Sequence, residues 1–483
     1  NMPLILPGNV GSATAATGYD VANSCRFNDG DSAYMNLTSV GTVTNRLKFT
    51  ISLWVKRSTL GAKSMIGTVG GDSSNFGAIW FDSSDRLNCT EGSGGGTLNF
   101  ITNRVFRDTS AWYNIILAID TTQGTEANRV KIYVNGVQET SFSTSTYPGE
   151  DSNMHLNRGG KAQYLGRHTD STNDYYFDGY MAEVVWIDGS QEAPTSFGEF
   201  DSDSGIWKPI DPSGLTFGNN GFYLDFEASG NLGNDANGGT DWTETNFAAT
   251  DQSTDTCTNN FATINPLDNY YAQATLSEGN TKVATNASAE AMSTSTFAMT
   301  KGRWYFEVDF ISNSGNVSRQ CGITPHPSKV MSGISGKSGD VTPHTHAFSD
   351  SGNVQTGNGS GGQTALASLS SFTNGDIIGI YMDLEDMKSY WSKNGSLMNS
   401  GTGLDLTALA SNGTGHYMFY VGDNNSAAQT CQANFGNPHL ALDNTAVADD
   451  NGYGAFEYSP NITGDGTSKK FYSCCTKNLA EFG

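Results

Sequence analysis

The feature that most constrains this chain is the recurrence of short apolar runs at period two, closed off by tight-turn dipeptides. In Phe49-Thr-Ile-Ser-Leu-Trp-Val55, residues Phe49, Ile51, Leu53 and Val55 fall on one face of an extended strand. Trp54 falls on the opposite face, so both faces of that sheet are expected to be covered at least in part, as in a sandwich with a loop or neighbour over its outer side. Further on, Trp304, Phe306, Val308 and Phe310 alternate with Tyr305, Glu307 and Asp309, the pattern of a half-buried strand. Val130-Lys-Ile-Tyr-Val134 runs into Asn135-Gly136, and a type I′ hairpin needs positive φ at both of its central residues. Lys393-Asn394-Gly395 supplies a second such turn. Composition points the same way. Charged residues are 16% of the chain, against about 25% in a typical globular protein. Disorder is excluded, because it goes with few aromatics and many charges, whereas aromatics here reach 11%. The expectation is an all-β protein of several short-stranded layers, its 483 residues being enough for two to four domains.

Charge and cysteine usage exclude several functions. Twenty-six basic against 49 acidic side chains leave a net −23, which repels a phosphate backbone and argues against a nucleic-acid partner. No run approaches the roughly 18 apolar residues of a spanning helix, so membrane insertion is not expected. Met2-Pro-Leu-Ile-Leu-Pro-Gly8 is too short and too broken by proline to read as a signal peptide. The seven cysteines (Cys25, Cys89, Cys257, Cys321, Cys431, Cys474, Cys475) form no C-x-x-C, and scattered buried thiols are the expectation.

Along the chain, residues 1–19 read as an N-terminal arm, a flexible terminus or a docking segment. Strand phrases then follow in order: FTISLWVK, WYNIILAID, VKIYVNGVQ, YLGRH and FDGYMAEVVWIDG. As a set they resemble the ordered strands of laminin-G-like, concanavalin-type jelly rolls. That resemblance implies two facing antiparallel sheets, with Phe222–Phe226 as the late closing strand, over a domain of residues 20–250. Residues 229–260, rich in Gly, Asn and Thr, read as a linker interrupted by Trp242 and Phe247. A second set, GRWYFEVDF, CGIT, GDIIGIYMDLEDMKSYWSKNG and ANFGNP, resembles a SPRY domain over residues 251–450. Residues 331–370 depart from it as a Gly/Ser/Thr-rich insertion. The C-terminal segment, 451–483, is expected to belong to neither sandwich. Its phrase CTKNLAEFG, behind the tandem sandwiches, resembles structural proteins of marine tailed phages.

The sequence carries no recognisable catalytic set. Concanavalin-type folds host glycosidases, so paired carboxylates were sought. Glu307 and Asp309 share a strand face, but no further Glu follows at Phe310, Ile311 or Ser312, and the SPRY resemblance accounts for Glu307 as a structural residue. Asp383, Glu385 and Asp386 read as a solvated turn. His344 and His346, two apart, could share a metal, but a flexible insertion without a third ligand favours surface histidines. The other histidines, His155, His168, His326, His416 and His439, have no nucleophile at a recognisable spacing. No G-x-S-x-G or P-loop occurs, and no enzyme is expected. Laminin-G-like domains often bind Ca²⁺, and Asp170, Asp174 and Asp178 flank a loop able to offer oxygen ligands. Tyr175, Tyr176 and Tyr180 lie in a turn-rich stretch where they either form an aromatic platform for a glycan or pack against a sheet.

The phage resemblance therefore implies a non-enzymatic virion surface protein, a tail fibre, spike or head fibre that presents sandwiches to solvent or to host polysaccharide. Other virion proteins would be its partners. A homotrimer is expected by analogy with fibres, not from any residue pattern. Two alternatives stand beside it: a secreted, calcium-dependent lectin, and a phage-borne polysaccharide depolymerase.

Overall fold

The computed structural model describes residues 18–37, 41–69, 76–92, 97–169, 174–271, 273–286, 291–315, 319–325, 345–357, 363–410, 415–423, 427–463 and 468–483. The arm at 1–19 falls almost wholly outside them. The chain is all-β and forms two compact units that divide between Thr258 and Asn259, eight residues beyond the boundary drawn from the sequence.

In the first unit two eight-stranded antiparallel sheets enclose a core. One runs Val137–Gln138, Val130–Val134, Trp112–Asp120, Lys48–Arg57, Gly179–Asp188, Ser24–Phe27 and Gln252–Ser253, with Phe222–Leu224 also paired to Gly179–Asp188. The other runs Phe142–Thr146, Leu98–Val105, Arg86–Glu91, Gly77–Phe81, Lys63–Val69, Ala162–Leu165, Tyr34–Leu37 and Thr243–Thr245. Phe49, Ile51, Leu53 and Val55 point into the core and meet Ile79, Phe81, Leu87 and Phe100 of the facing sheet. Trp54, on the other face, is buried too, among Trp112, Tyr180 and Trp207. The cover over this outer face includes Trp207, whose Nε1 donates to Asn114 Oδ1 at 3.1 Å. Gly136 makes the approach possible: its φ is 74°, and a Cβ there would lie 2.3 Å from the Trp207 ring. Beneath the same cover Lys56 Nζ sits 2.7 Å from Asp255 Oδ2, both fully buried, and Trp112 Nε1 donates to Asp255 Oδ1 at 3.1 Å. Burial pushes the Lys56 ammonium down, against the pull of Asp255.

The linker expected at 229–260 does not exist as such. Leu232 and Trp242 belong to the first core, and Thr243–Thr245 and Gln252–Ser253 add edge strands to both of its sheets. Strands of two or three residues are too short to show alternation in a sequence, so Gly/Asn-rich turns dominated the pattern.

The second unit pairs a seven-stranded sheet (Ile264–Tyr271, Ala291–Ser295, Met418–Asp423, Arg319–Thr324, His346–Ser349, Asn353–Gly357, Gln363–Ser368) with a nine-stranded one. The latter is centred on Gln429–Asn434, Arg303–Asn313, Ile377–Asp383 and Lys388–Lys393. Trp304, Phe306, Val308 and Phe310 face the core as the alternation required. The described part of the 331–370 insertion is ordered strand, not loop. His346 accordingly is 1% exposed, bonded to Ser389 Oγ at 3.0 Å, and no surface histidine; His344 lies outside the described residues.

The C-terminal segment belongs to this unit, contrary to the sequence expectation. Tyr472–Ser473 pairs in parallel with Trp304-Tyr305, and helix Thr476–Phe482 buries Leu479 in the second core. Phe456, Ile462 and Phe471 cover Tyr305, Tyr381 and Tyr390 on the outer face. Asp383, expected in a solvated turn, is also buried there, paired with Arg303 and with Lys469 at 2.8 Å.

Candidate functional site

A cluster of half-buried aromatic residues lies on the outer face of the first unit's second sheet, around a small hairpin. Strand Ala162–Leu165 points Leu165 into the core and Tyr164 outward. Gly166, at φ 81°, then turns the chain, its N–H donating to Met65 O at 2.7 Å. The hairpin Arg167–Thr169/Asp174–Tyr176 follows and lies against strand Lys63–Val69. It can do so because position 67 is glycine: a Cβ there would stand 2.5 Å from His168 Cβ.

Register sorts the hairpin's side chains. Arg167 pairs with Tyr176 and His168 with Tyr175, so period two sends the two pairs to opposite faces. On one face the Arg167 guanidinium lies 4.8 Å from the Tyr34 ring, 5.4 Å from Tyr164 and 5.5 Å from Tyr176. Its Nη2 also donates to both carboxylate oxygens of Asp174, at 3.0 and 3.1 Å. Burial lowers the Arg167 pKa, but the Asp174 bonds outweigh it and hold the guanidinium above its ordinary value. On the other face Tyr175 stacks on His168 with centroids 4.7 Å apart and planes 16° from parallel, and Trp80 contacts both. Tyr34, Trp80, Tyr164, Tyr175 and Tyr176 are all half-buried, each ring packed on one side and open on another. Rings held rigidly beside a fixed cation and carboxylate can stack on the apolar face of a sugar and hydrogen-bond its hydroxyls.

Of the tyrosines named from sequence, Tyr175 and Tyr176 lie in this hairpin and Tyr180 does not. Tyr180 is fully buried in the cover of the other sheet, beside Arg26 and Lys56, and burial raises its hydroxyl pKa. It cannot join an exposed platform. The carboxylates named for calcium also separate. Asp174 is exposed and engaged by Arg167, Asp178 is 2% exposed, and Asp170 lies outside the described residues. Among the described residues no group of three His, Cys, Asp or Glu side chains could hold a metal ion. Sequence reasoning missed Tyr34, Trp80, Tyr164 and Arg167. Each takes the outward position of a short strand or hairpin, but alternation alone does not say which outward face stays open.

The other carboxylate pair has a different character. Glu307, 2% exposed, accepts from Tyr305 Oη, Asn434 Nδ2 and the backbone N–H groups of Glu457 and Tyr458, at 2.8 to 3.2 Å. Burial raises its pKa to about 7 against the pull of those donors. With Asp309 it borders a cavity of about 30 Å³, room for one water and none for a sugar ring.

Residues 29–193 match the family model described as the concanavalin A-like lectin/glucanases superfamily, about a third of the chain. The chain is similar to a putative carbohydrate binding protein from Bacteroides ovatus, at 17% identity over 48% of this chain and 60% of that one, TM-score 0.35. It is also similar to the SPRY domain of human HERC1, at 16% identity over 35% of this chain and 96% of that one, TM-score 0.28. A third similarity is to domain 4 of a GH43 extracellular arabinanase from Geobacillus stearothermophilus in complex with arabinotriose, at 17% identity over 32% of this chain and 67% of that one, TM-score 0.24. No curated protein matches the chain.

Proposed function

We propose that this chain is a non-enzymatic glycan-binding protein whose sugar surface is the Arg167–Tyr176 hairpin and the rings beside it. The observation that carries this is the half-open ring set Tyr34, Tyr164 and Tyr176 around an Arg167–Asp174 pair, on an outer sheet face of a concanavalin-like sandwich. Binding is favoured over hydrolysis because the nearby carboxylate, Asp174, is held by Arg167, and Glu307 is enclosed with all its oxygens engaged. The experiment is an array of immobilised bacterial-envelope and algal oligosaccharides probed with the purified full chain and with Tyr176→Ala. Specific retention of the wild type, lost in the variant, supports the reading; no retention on any glycan refutes it. Release of reducing ends from a retained polysaccharide would move the assignment to a depolymerase.

The finer part of the proposal is location on the surface of a tailed-phage particle, which rests on the tandem sandwiches and the CTKNLAEFG phrase. Immunogold electron microscopy of purified particles tests it. Label at the tail fits host attachment, label on the capsid fits a head fibre, and absence from particles sinks the virion reading in favour of a lectin.

A further inference from the structure

We propose that the second unit carries its own binding groove, for an uncharged oligosaccharide, between the Ser368–Ser370 segment and the turn Lys393–Ser400. The groove belongs to the second unit, and its reading does not depend on the one given to the hairpin.

Five observations carry the inference. The concavity measures about 740 Å³, within the roughly 300–1,000 Å³ of small-ligand sites. Its rim is made of exposed hydroxyl and amide side chains: Ser370, Asn394, Ser396, Asn399 and Ser400. Such groups both donate and accept, which is the requirement for recognising sugar hydroxyls that do the same. Its floor is apolar. Leu369, Leu397 and Met398 are half-buried and continuous with the clusters beneath them, a surface suited to the C–H face of a pyranose ring.

Charge narrows the ligand further. Among the described residues Lys393 is the one cation lining the groove, and it is already committed: its Nζ lies 2.9 Å from Asp376 Oδ2 and donates to Ser371 O at 2.8 Å. Among the described residues no carboxylate lines the concavity, although the chain as a whole carries −23. Neither an anion nor a cation is selected by such a wall.

The rim is also fixed before any ligand arrives. Asn394 donates to Asp376 Oδ1 and accepts from Ile377 N, both at 2.8 Å, and Gly395 beside it packs against the Tyr458 ring. Asn399 and Ser400 hold left-handed backbone, at φ 54° and 48°, with Asn399 Nδ2 donating to Thr402 O at 2.7 Å. A serine in that conformation persists only where its surroundings impose it, and preorganised polar groups lose little freedom on binding.

The test uses the full chain with ¹³C-labelled methionine and leucine methyl groups, titrated separately with hexasaccharides of glucose, galactose, mannose and xylose. The expected result is a saturable shift of the Met398 and Leu397 methyl signals with at least one of them. The shift should persist in Tyr176→Ala and weaken by about tenfold or more in Ser396→Phe, which fills the groove from an exposed position. Unmoved signals from the buried Met292 and Met382 methyls show that the variant is folded. Two results overturn the proposal: no shift with any of the four sugars, or full retention of binding in folded Ser396→Phe.

Discussion

The two sandwiches treat the outer faces of their sheets differently. In the second unit a late segment closes over Tyr305, Tyr381 and Tyr390, pinned where the backbone N–H groups of Glu457 and Tyr458 reach the Glu307 carboxylate. The first unit covers the Trp54 face of one sheet in a similar way, with a buried Lys56–Asp255 pair at its centre. On its other sheet, among the described residues, it leaves Tyr34, Trp80 and Tyr164 half-open under nothing larger than a two-stranded hairpin. The lesson is that an outward aromatic stays open or becomes a packing residue according to what later chain lies over it. Tyr176 and Tyr180, four residues apart, fall on the two sides of that division.

The two units should also respond differently to pH, and this is the largest effect expected. Burial raises Glu91 to about 7 and Glu183 to about 8 in the first unit, and Glu307 to about 7 in the second. A carboxyl raised above its unfolded value near 4.5 binds its proton more tightly in the folded state. Its contribution is therefore fully present below about pH 4.5 and lost as pH rises through 7 to 8, about 3 kcal/mol for Glu91 and for Glu307 and about 5 kcal/mol for Glu183. His346 in the second unit has the opposite sign. Burial lowers it to about 4, so the folded state gains stability between about pH 4 and 6.5 as the unfolded imidazole gives up its proton. The first unit should lose several kcal/mol between pH 5 and 8 while the second changes little. Hydrogen exchange of strands Trp112–Asp120 and Arg303–Asn313 at the two pH values reads this; parallel loss in both units breaks the comparison.

Asp255→Ala comes next. It strands a buried ammonium, and the expected cost is about 3–5 kcal/mol, read as a lowered denaturation midpoint of the first unit alone. Glu307→Gln places an amide N–H₂ opposite backbone donors and should cost about 1–3 kcal/mol, with faster proteolysis within 441–471 as its signature. An unchanged cleavage rate would show that the cover does not depend on that carboxylate. Tyr176→Ala is the smallest, since the side chain is half-exposed: under about 1 kcal/mol by thermal denaturation, with glycan binding carrying the larger effect.

Much of the strand framework was legible from Phe49–Val55, Trp112–Asp120 and Trp304–Phe310, where alternation runs long enough to declare a face. The covers were not. Residues 229–260 and 451–483 pack through isolated side chains such as Trp242, Phe456 and Phe471 set among turns, and no periodicity marks them. For the site, the sequence named Tyr175 and Tyr176 together with Tyr180, and set Asp174 apart from them with Asp170 and Asp178 as a calcium ligand. The hairpin's partners Tyr34, Trp80 and Tyr164 come from three separate strands, which only sheet order and the glycine at position 67 bring under one hairpin.

The measurement that bears most directly on the account is calorimetric titration of the full chain with an oligosaccharide retained on the array, comparing wild type, Tyr175→Ala/Tyr176→Ala and Tyr180→Phe. The account predicts an affinity loss of about tenfold or more in the double variant with a melting temperature lowered by no more than a few degrees, and wild-type affinity in Tyr180→Phe. Wild-type affinity in the double variant, or a loss confined to Tyr180→Phe, would contradict it.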